Sequence, residues 1–267
     1  MQSSTPLVVF SDLDGTLLDH VTYRWDPAAP ALARLAACGC PVILSSSKTA
    51  AEIAPLQDEM GLTPHLAIVE NGAGLLRPGQ AADTAPQYPA LRAALDRVPA
   101  DLRHLFRGFG DMSLHDVMQT TGLSEVAATR AKARAFSEPG LWSGDAAQLS
   151  AFVAALKSEG VFARRGGRFL TLSFGKTKAD RMDEVIAHYA TRHSLALGDA
   201  PNDIEMLQKA DFGVIVANPH AAPLPLQQGE DEGRIIRTTE PGPAGWNSAV
   251  LTLLDRLDLG KERHPHG

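Results

Sequence analysis

Cysteine, surplus positive charge and long apolar runs are all scarce in this chain of 267 residues, and each shortage removes a class of protein. Its two cysteines, Cys38 and Cys40, flank a single glycine. Pairing them closes a very short, strained ring, so no disulfide framework is expected and reduced thiols suit a cytoplasmic protein. Lys+Arg number 25 against Asp+Glu 31, a formal charge of −6. That balance leaves no electrostatic footprint for nucleic acid or an anionic membrane, and attraction for an anionic substrate has to come from local groups. The apolar runs, such as Leu7 to Phe10 and Pro41 to Leu44, are far shorter than the ~20 residues a membrane span needs. Met1-Gln-Ser-Ser-Thr-Pro has neither a basic nor an apolar region, so no secretory signal is expected there. No internal repeat or long low-complexity segment is present. With 44% hydrophobic and 21% charged residues, the composition is that of a globular protein.

What is present is an alternation. Leu7-Val-Val-Phe10 reads as a buried strand ending at Ser11-Asp12. Asp26-Pro27 reads as an N-cap and first helical position, with Leu32, Leu35 and Ala36 on one face and Gly39 as the stop. Pro41 to Leu44 is the next strand. Thr49 with Glu52 forms a capping box for a helix carrying Ile53, Leu56 and Met60. Leu66 to Val69 is a third strand, closed by the turn Glu70-Asn71-Gly72. Later, a helix with Met182, Val185 and Ile186 leads to the strand Leu195–Leu197, a short helix, the strand Phe212 to Val216, and a last helix with Val250, Leu253, Leu254 and Leu257. This order predicts an α/β fold, a Rossmann-like doubly wound parallel sheet. Between the halves lie helix signals at Ser113 and Ser124 and a hairpin, Val161 to Leu172, across Gly166-Gly167. The predicted organisation is therefore a core of residues 1–82 and 175–267 with an inserted α+β domain at 83–174. A linker is expected near Ala81 to Pro89, and a frayed tail from Gly260.

Ligands of such sheets sit beyond the carboxyl ends of the strands, where polar residues collect here. Asp12 and Asp14 lie two apart in an extended segment and so share one side. Close carboxylates repel, and a divalent cation relieves them; Mg²⁺ accepts one or two carboxylates together with a phosphate oxygen. Asp12 is then placed as a nucleophile, Asp14 as general acid and base, and Gly15 lets the backbone turn. Ser46 follows the second strand as a hydroxyl donor. In Gly175-Lys-Thr-Lys178, Lys176 and Lys178 compete for the role of charge neutraliser, and the register of the next helix favours Lys178. Gly198-Asp-Ala-Pro-Asn-Asp203 supplies Asp199 as a metal ligand, Asp203 as ligand or orienting group, and Asn202 as a loop hydrogen-bonder.

Together these residues resemble the haloacid dehalogenase-type phosphatase superfamily. Over nearly the whole chain they are similar to the mannosyl-3-phosphoglycerate phosphatase family. The evidence is Phe10 to Asp19, Ser46-Ser-Lys-Thr49, Glu70-Asn-Gly72, Gly108-Phe-Gly-Asp-Met-Ser113, Phe136-Ser-Glu-Pro139, Gly198 to Asp203 and Glu240-Pro-Gly-Pro-Ala-Gly-Trp246. Ala200 departs from the glycine or serine frequent in such loops. The resemblance implies Mg²⁺-dependent hydrolysis of mannosyl-3-phosphoglycerate to mannosylglycerate, a compatible solute, and phosphate, with the insertion acting as a substrate-selecting cap. It implies substrate contacts from Ser47, Lys48, Glu70, Asn71, Gly72 and Asn202, and from cap arginines. Arg164, Arg165 and Arg168 cluster at the predicted hairpin, and guanidinium binds carboxylates bidentately. A glucosyl-3-phosphoglycerate or general sugar-phosphate phosphatase is the neighbouring alternative, and a silent phosphate-binding module the alternative of a different class.

Overall fold

Strands that read as unbroken apolar runs are buried on both faces, which requires parallel pairing under helices. The computed structural model, which describes residues 5–79 and 87–260, has this arrangement. In chain order the first elements are β1 (Val8–Ser11), α1 (Ala29–Ala37) and β2 (Val42–Ser45). There follow α2 (Ala50–Glu59), β3 (Ala67–Val69), β4 (Gly74–Leu76), α3 (Gln87–Asp96), α4 (Ala100–Arg103), β5 (Phe106–Gly108), α5 (Leu114–Thr121), α6 (Glu125–Lys132), β6 (Ser137–Trp142), α7 (Ala146–Ser158), β7 (Phe162–Gly166) and β8 (Phe169–Ser173). The chain ends with α8 (Lys178–Tyr189), β9 (Ser194–Gly198), α9 (Ile204–Lys209), β10 (Phe212–Ala217), β11 (Ile235–Pro241) and α10 (Gly242–Arg256). Among the described residues two compact units form, one from the chain up to Ser46 together with Lys178 onward, the other from Ser47–Thr177.

In the first unit five strands run parallel in the order β11-β10-β9-β1-β2. Every residue of β1, β2 and β9 is buried. The chain leaves β1 for β2 on one side and later builds β9, β10 and β11 on the other. The strand order therefore reverses between β1 and β9, the place where open α/β sheets hold their ligands. Asp12 follows β1 there, and its N–H donates to Leu197 O at 2.9 Å. The helix expected from Asp26 begins later. Residues Asp26–Ala28 form a 3₁₀ turn with no side-chain cap, because the Asp26 carboxylate accepts both Arg24 donors, at 2.8 and 2.9 Å.

In the second unit the capping box at Thr49 and Glu52 forms as expected, and that at Ser113 closes on Asp116. Strands β3 and β4 pair antiparallel across the Glu70–Gly72 turn, and β7 with β8 forms the expected hairpin. The hairpin belongs to a four-stranded antiparallel sheet, β5-β6-β8-β7, whose core includes Leu91, Leu95, Phe106, Phe152 and Leu172. Strands β4, β5, β6 and β11 had no counterpart in the sequence reading; at three residues, β4 and β5 are too short to show a period. Most of the expected linker, residues 80–86, and the tail at 261–267 lie outside the described residues. Among the described residues no helix is long and apolar enough to cross a membrane.

Candidate active site

In the first unit the carboxyl ends of β1 and β9 gather a lysine and a set of carboxylates. Asp12, Asp199 and Asp203 are buried, and one oxygen from each lies within 4.8 Å of the others. Lys178 opens α8 and is 2% exposed, so its four-carbon stem carries an ammonium into the interior. Its Nζ donates to Asp12 Oδ1 at 2.5 Å and to Asp203 Oδ1 at 2.7 Å. Lys176, by contrast, is exposed. The other Asp203 oxygen accepts the N–H groups of Asp199 and Ala200, at 3.2 and 3.1 Å. Asp203 thus ties the lysine to the loop that aims Asp199. That loop turns through the 3₁₀ segment Pro201–Asp203, and Asn202 is exposed on it.

Asp199 is held from two further sides: Thr16 Oγ1 and Asn218 Nδ2 each donate to it at 2.7 Å. Neither residue was singled out from the sequence. Thr16 stood within Asp12-Leu-Asp-Gly-Thr16, and Asn218 follows β10 directly, so the same rule that found Asp199 also reaches Asn218. Gly15 has φ +85°, and a Cβ on it would lie 2.4 Å from Asn218 Nδ2 and 3.0 Å from Asp199 Oδ2, so only glycine lets the loop pass. Asp14 is half-buried on the same loop, and Ser46, just past β2, is 1% exposed. A cavity of about 340 Å³ opens beside Asp199 and Asn218, lined also by Ile215, Leu224 and Thr238.

The electrostatics of this end are lopsided. Burial, then the charge of Asp203, push the Asp12 carboxyl above its ordinary range, while Lys178 pulls it back. Burial also raises Asp199, against the hydrogen bonds from Asn218 and Thr16. Burial disfavours the Lys178 ammonium, but the charges of Asp12 and Asp203 outweigh it and hold the lysine protonated. One ammonium thus serves three buried carboxylates. An oxygen-liking divalent cation supplies what the set lacks, and Asp12 and Asp199 are suited to bind it, with Asp203 in reach.

The remaining expected residues belong to the second unit. Ser47 is exposed, and its carbonyl accepts from Arg134 at 3.0 Å. Lys48 is half-buried, and its carbonyl accepts the Glu70 N–H at 2.9 Å. Glu70 is 2% exposed, and its carboxylate is engaged by the N–H groups of Ala135, Phe136 and Ser137 and by the Ser137 hydroxyl. These bonds hold a run of three positive φ values, at Glu70, Asn71 and Gly72. Glu70 therefore secures a turn that presents half-buried Asn71. Arg164 and Arg165 are exposed on β7, whereas Arg168 donates to Thr120 O at 2.6 Å and lies over the Phe169 ring.

A buried acid cluster with one buried lysine thus sits at the switch point of a parallel sheet, where α/β proteins of the doubly wound class hold their ligands. The family follows from the sequence match: the haloacid dehalogenase-like hydrolase family model covers residues 9–83 and 141–223, and the chain belongs to that family. Solved structures share the fold. The sucrose-phosphatase of Synechocystis sp. PCC6803, crystallised with sucrose and phosphate, matches at 18% identity and TM-score 0.65, covering 97% of this chain and 100% of that one. The superfamily phosphatase BT1666 from Bacteroides thetaiotaomicron matches at 17% identity and TM-score 0.68, covering 97% of each chain. A sugar phosphatase of subclass IIB, BT4131, matches at 16% identity and TM-score 0.63, covering 94% and 99%.

Proposed function

We propose that the chain is a Mg²⁺-dependent phosphatase acting on a sugar-phosphoglycerate, with mannosyl-3-phosphoglycerate as its substrate. The observation that carries the mechanism is the buried Asp12 at the end of β1, its Oδ1 on the Lys178 ammonium and its neighbours Asp199 and Asp203 within 4.8 Å. In this reading an Asp12 oxygen attacks phosphorus, the ester P–O bond breaks, and Asp14 gives its proton to the departing alkoxide. Asp14, now a carboxylate, takes a proton from water as the water oxygen attacks the aspartyl-phosphate, which releases phosphate and restores both acids. Lys178 and the Ser46 hydroxyl meet the charge on the phosphoryl oxygens. Asp12, Asp14 and Asp199, with Asp203 supporting them, would hold Mg²⁺, which would supply positive charge between the carboxylate and the phosphate.

The substrate assignment is supported by the segments shared with the mannosyl-3-phosphoglycerate phosphatase family and by likeness to phosphatases of sugar phosphates. Lys48, Asn71, Arg165 and Arg168 are proposed to recognise the glycerate carboxylate, Ser47, Gly72 and Asn202 to contribute backbone or amide contacts, and residues 83–174 to set selectivity. The test is phosphate release with Mg²⁺ from mannosyl-3-phosphoglycerate, glucosyl-3-phosphoglycerate, 3-phosphoglycerate, mannose 6-phosphate and p-nitrophenyl phosphate, with Asp12→Asn alongside. A strong kcat/KM preference for the mannosyl compound, absent in the variant, is expected. Even activity across simple sugar phosphates would overturn the substrate, and no release from any would overturn the chemistry.

A further inference from the structure

The motif Glu240 to Trp246 lies far along the chain from every acid of the site, yet the structure carries its last residue to the nucleophile. Trp246 is fully buried in the first turns of α10, and its Nε1–H donates to Ser11 Oγ at 2.9 Å. The Ser11 hydroxyl, also fully buried, donates to the carbonyl of Asp12 at 2.7 Å. The direction of this chain is forced. An indole N–H only donates, so Ser11 must accept from it and spend its single proton on Asp12. The Asp12 peptide is thereby gripped on both sides, its N–H by Leu197 O and its carbonyl by Ser11. Linked bonds in a dry interior polarise and stiffen one another. The motif supplies the geometry: a Cβ at Gly245 would fall 2.0 Å from Glu240 O and 2.6 Å from Thr238 Oγ1, so a glycine there lets α10 start against the end of β11 and brings Trp246 to Ser11.

We infer that Trp246, through Ser11, is a positioning residue for the Asp12 nucleophile; this rests on the phosphatase reading above. The pair reaches Asp12 only through its backbone carbonyl, and its effect is to hold the backbone from which the Asp12 carboxylate reaches phosphorus. Misplacing a reacting group by about 1 Å can cost on the order of 10²-fold in rate, so a loosened peptide reduces turnover and leaves binding alone. β2 carries an internal control. Ser45 closes it with an equally buried hydroxyl that has no hydrogen-bond partner among the described residues.

The experiment measures kcat and KM for Mg²⁺-dependent hydrolysis of p-nitrophenyl phosphate by wild type, Trp246→Phe, Ser11→Ala, the double variant and Ser45→Ala, with melting curves for each. Trp246→Phe, which removes one buried hydrogen bond, and Ser11→Ala, which removes two, are each expected to lower kcat about five- to tenfold, with KM within about twofold. The double variant should be no slower than Ser11→Ala, since both act on one contact, and Ser45→Ala should match wild type. A folded Trp246→Phe with wild-type kcat, multiplying effects, or an equal loss in Ser45→Ala overturns the inference. If Trp246→Phe does not fold, Ser11→Ala against Ser45→Ala decides. A wild type that releases no phosphate is a different result: it overturns the phosphatase reading and this inference with it.

Discussion

Each unit buries carboxylates, and the two sets are provisioned in opposite ways. In the second unit Glu138 is fully buried, and its oxygens accept from Tyr88 Oη at 2.5 Å, Arg92 at 2.9 Å and the Gly110 N–H at 2.7 Å. Asp111 beside it takes Arg92, Arg103 and the Gly108 N–H. Burial resists ionisation of Asp111, yet these donors hold its carboxyl down to about 2. Burial and the Glu138 bond together push the Tyr88 phenol up. Acids answered donor for donor make a scaffold. In the first unit one ammonium is divided among the acids, and Asp12 and Asp199 are pushed up instead of down. A buried acid set short of positive charge is poised to take a cation or a phosphoryl group. Gly108 to Ser113 and Ser137-Glu-Pro139, which entered the sequence reading only as marks of family resemblance, thus make local structure in the second unit.

The contrast can be broken by substitution. Asp12→Asn is expected to lower kcat at least about 10³-fold while leaving the melting temperature no lower, because burial and Asp203 already disfavour the ionised carboxylate that the amide replaces. Enzyme kinetics paired with calorimetry checks both halves, and a large drop in melting temperature would put Asp12 among the scaffold acids. Glu138→Ala should do the reverse. It strands Tyr88 and half of Arg92, costs about 3 kcal/mol in denaturant unfolding, and keeps kcat of the folded protein within about threefold.

Smaller effects sharpen the comparison. Mg²⁺ at about 100 times its Kd should stabilise the protein by about 2.7 kcal/mol, and Asp199→Asn should abolish most of that gain in thermal melts. Without metal, the two acids give opposite pH slopes. Asp12 is raised on folding, so between about pH 4 and its elevated folded pKa the native state holds the extra proton and stability falls as pH rises; Asp12→Asn flattens this limb. Asp111 is lowered, so its contribution is present above about pH 4 and is lost as pH falls toward 2; Asp111→Asn flattens that limb. Matching slopes of one sign would end the distinction.

How far the sequence could be read follows from the same physics. The β1–α1–β2 run and the α8–β9–α9–β10 run were legible because buried parallel strands read as solid apolar blocks and their helices carry apolar residues at helical spacing. Asp12, Asp199 and Asp203, which the structure gathers, were legible as a group because they stand at strand ends where open α/β sheets hold their ligands. Lys178 could be favoured but not separated from Lys176, since only burial distinguishes two lysines two residues apart. Asn218, Thr16 and the Trp246–Ser11 link were not legible, because each is a contact over a long span between residues ordinary in their own surroundings. The structural bonds of Glu70 were not legible for the converse reason: a charged residue in a turn gives no sign that four donors wait at residues 135–137.

The order of the strands also sets a timetable. Asp12 and Lys178 are 166 residues apart, and β1 lies between β2 and β9. At about 5–20 residues per second, a ribosome needs roughly ten to thirty seconds between Asp12 and Lys178. Through that interval the chain from Ser47 to Thr177 emerges uninterrupted and has all the strands of its own antiparallel sheet. The acid cluster can assemble only once β9 arrives, and the grip on Asp12 waits longer still, for α10. The buried acid set therefore forms only after both stretches of the first unit have been made.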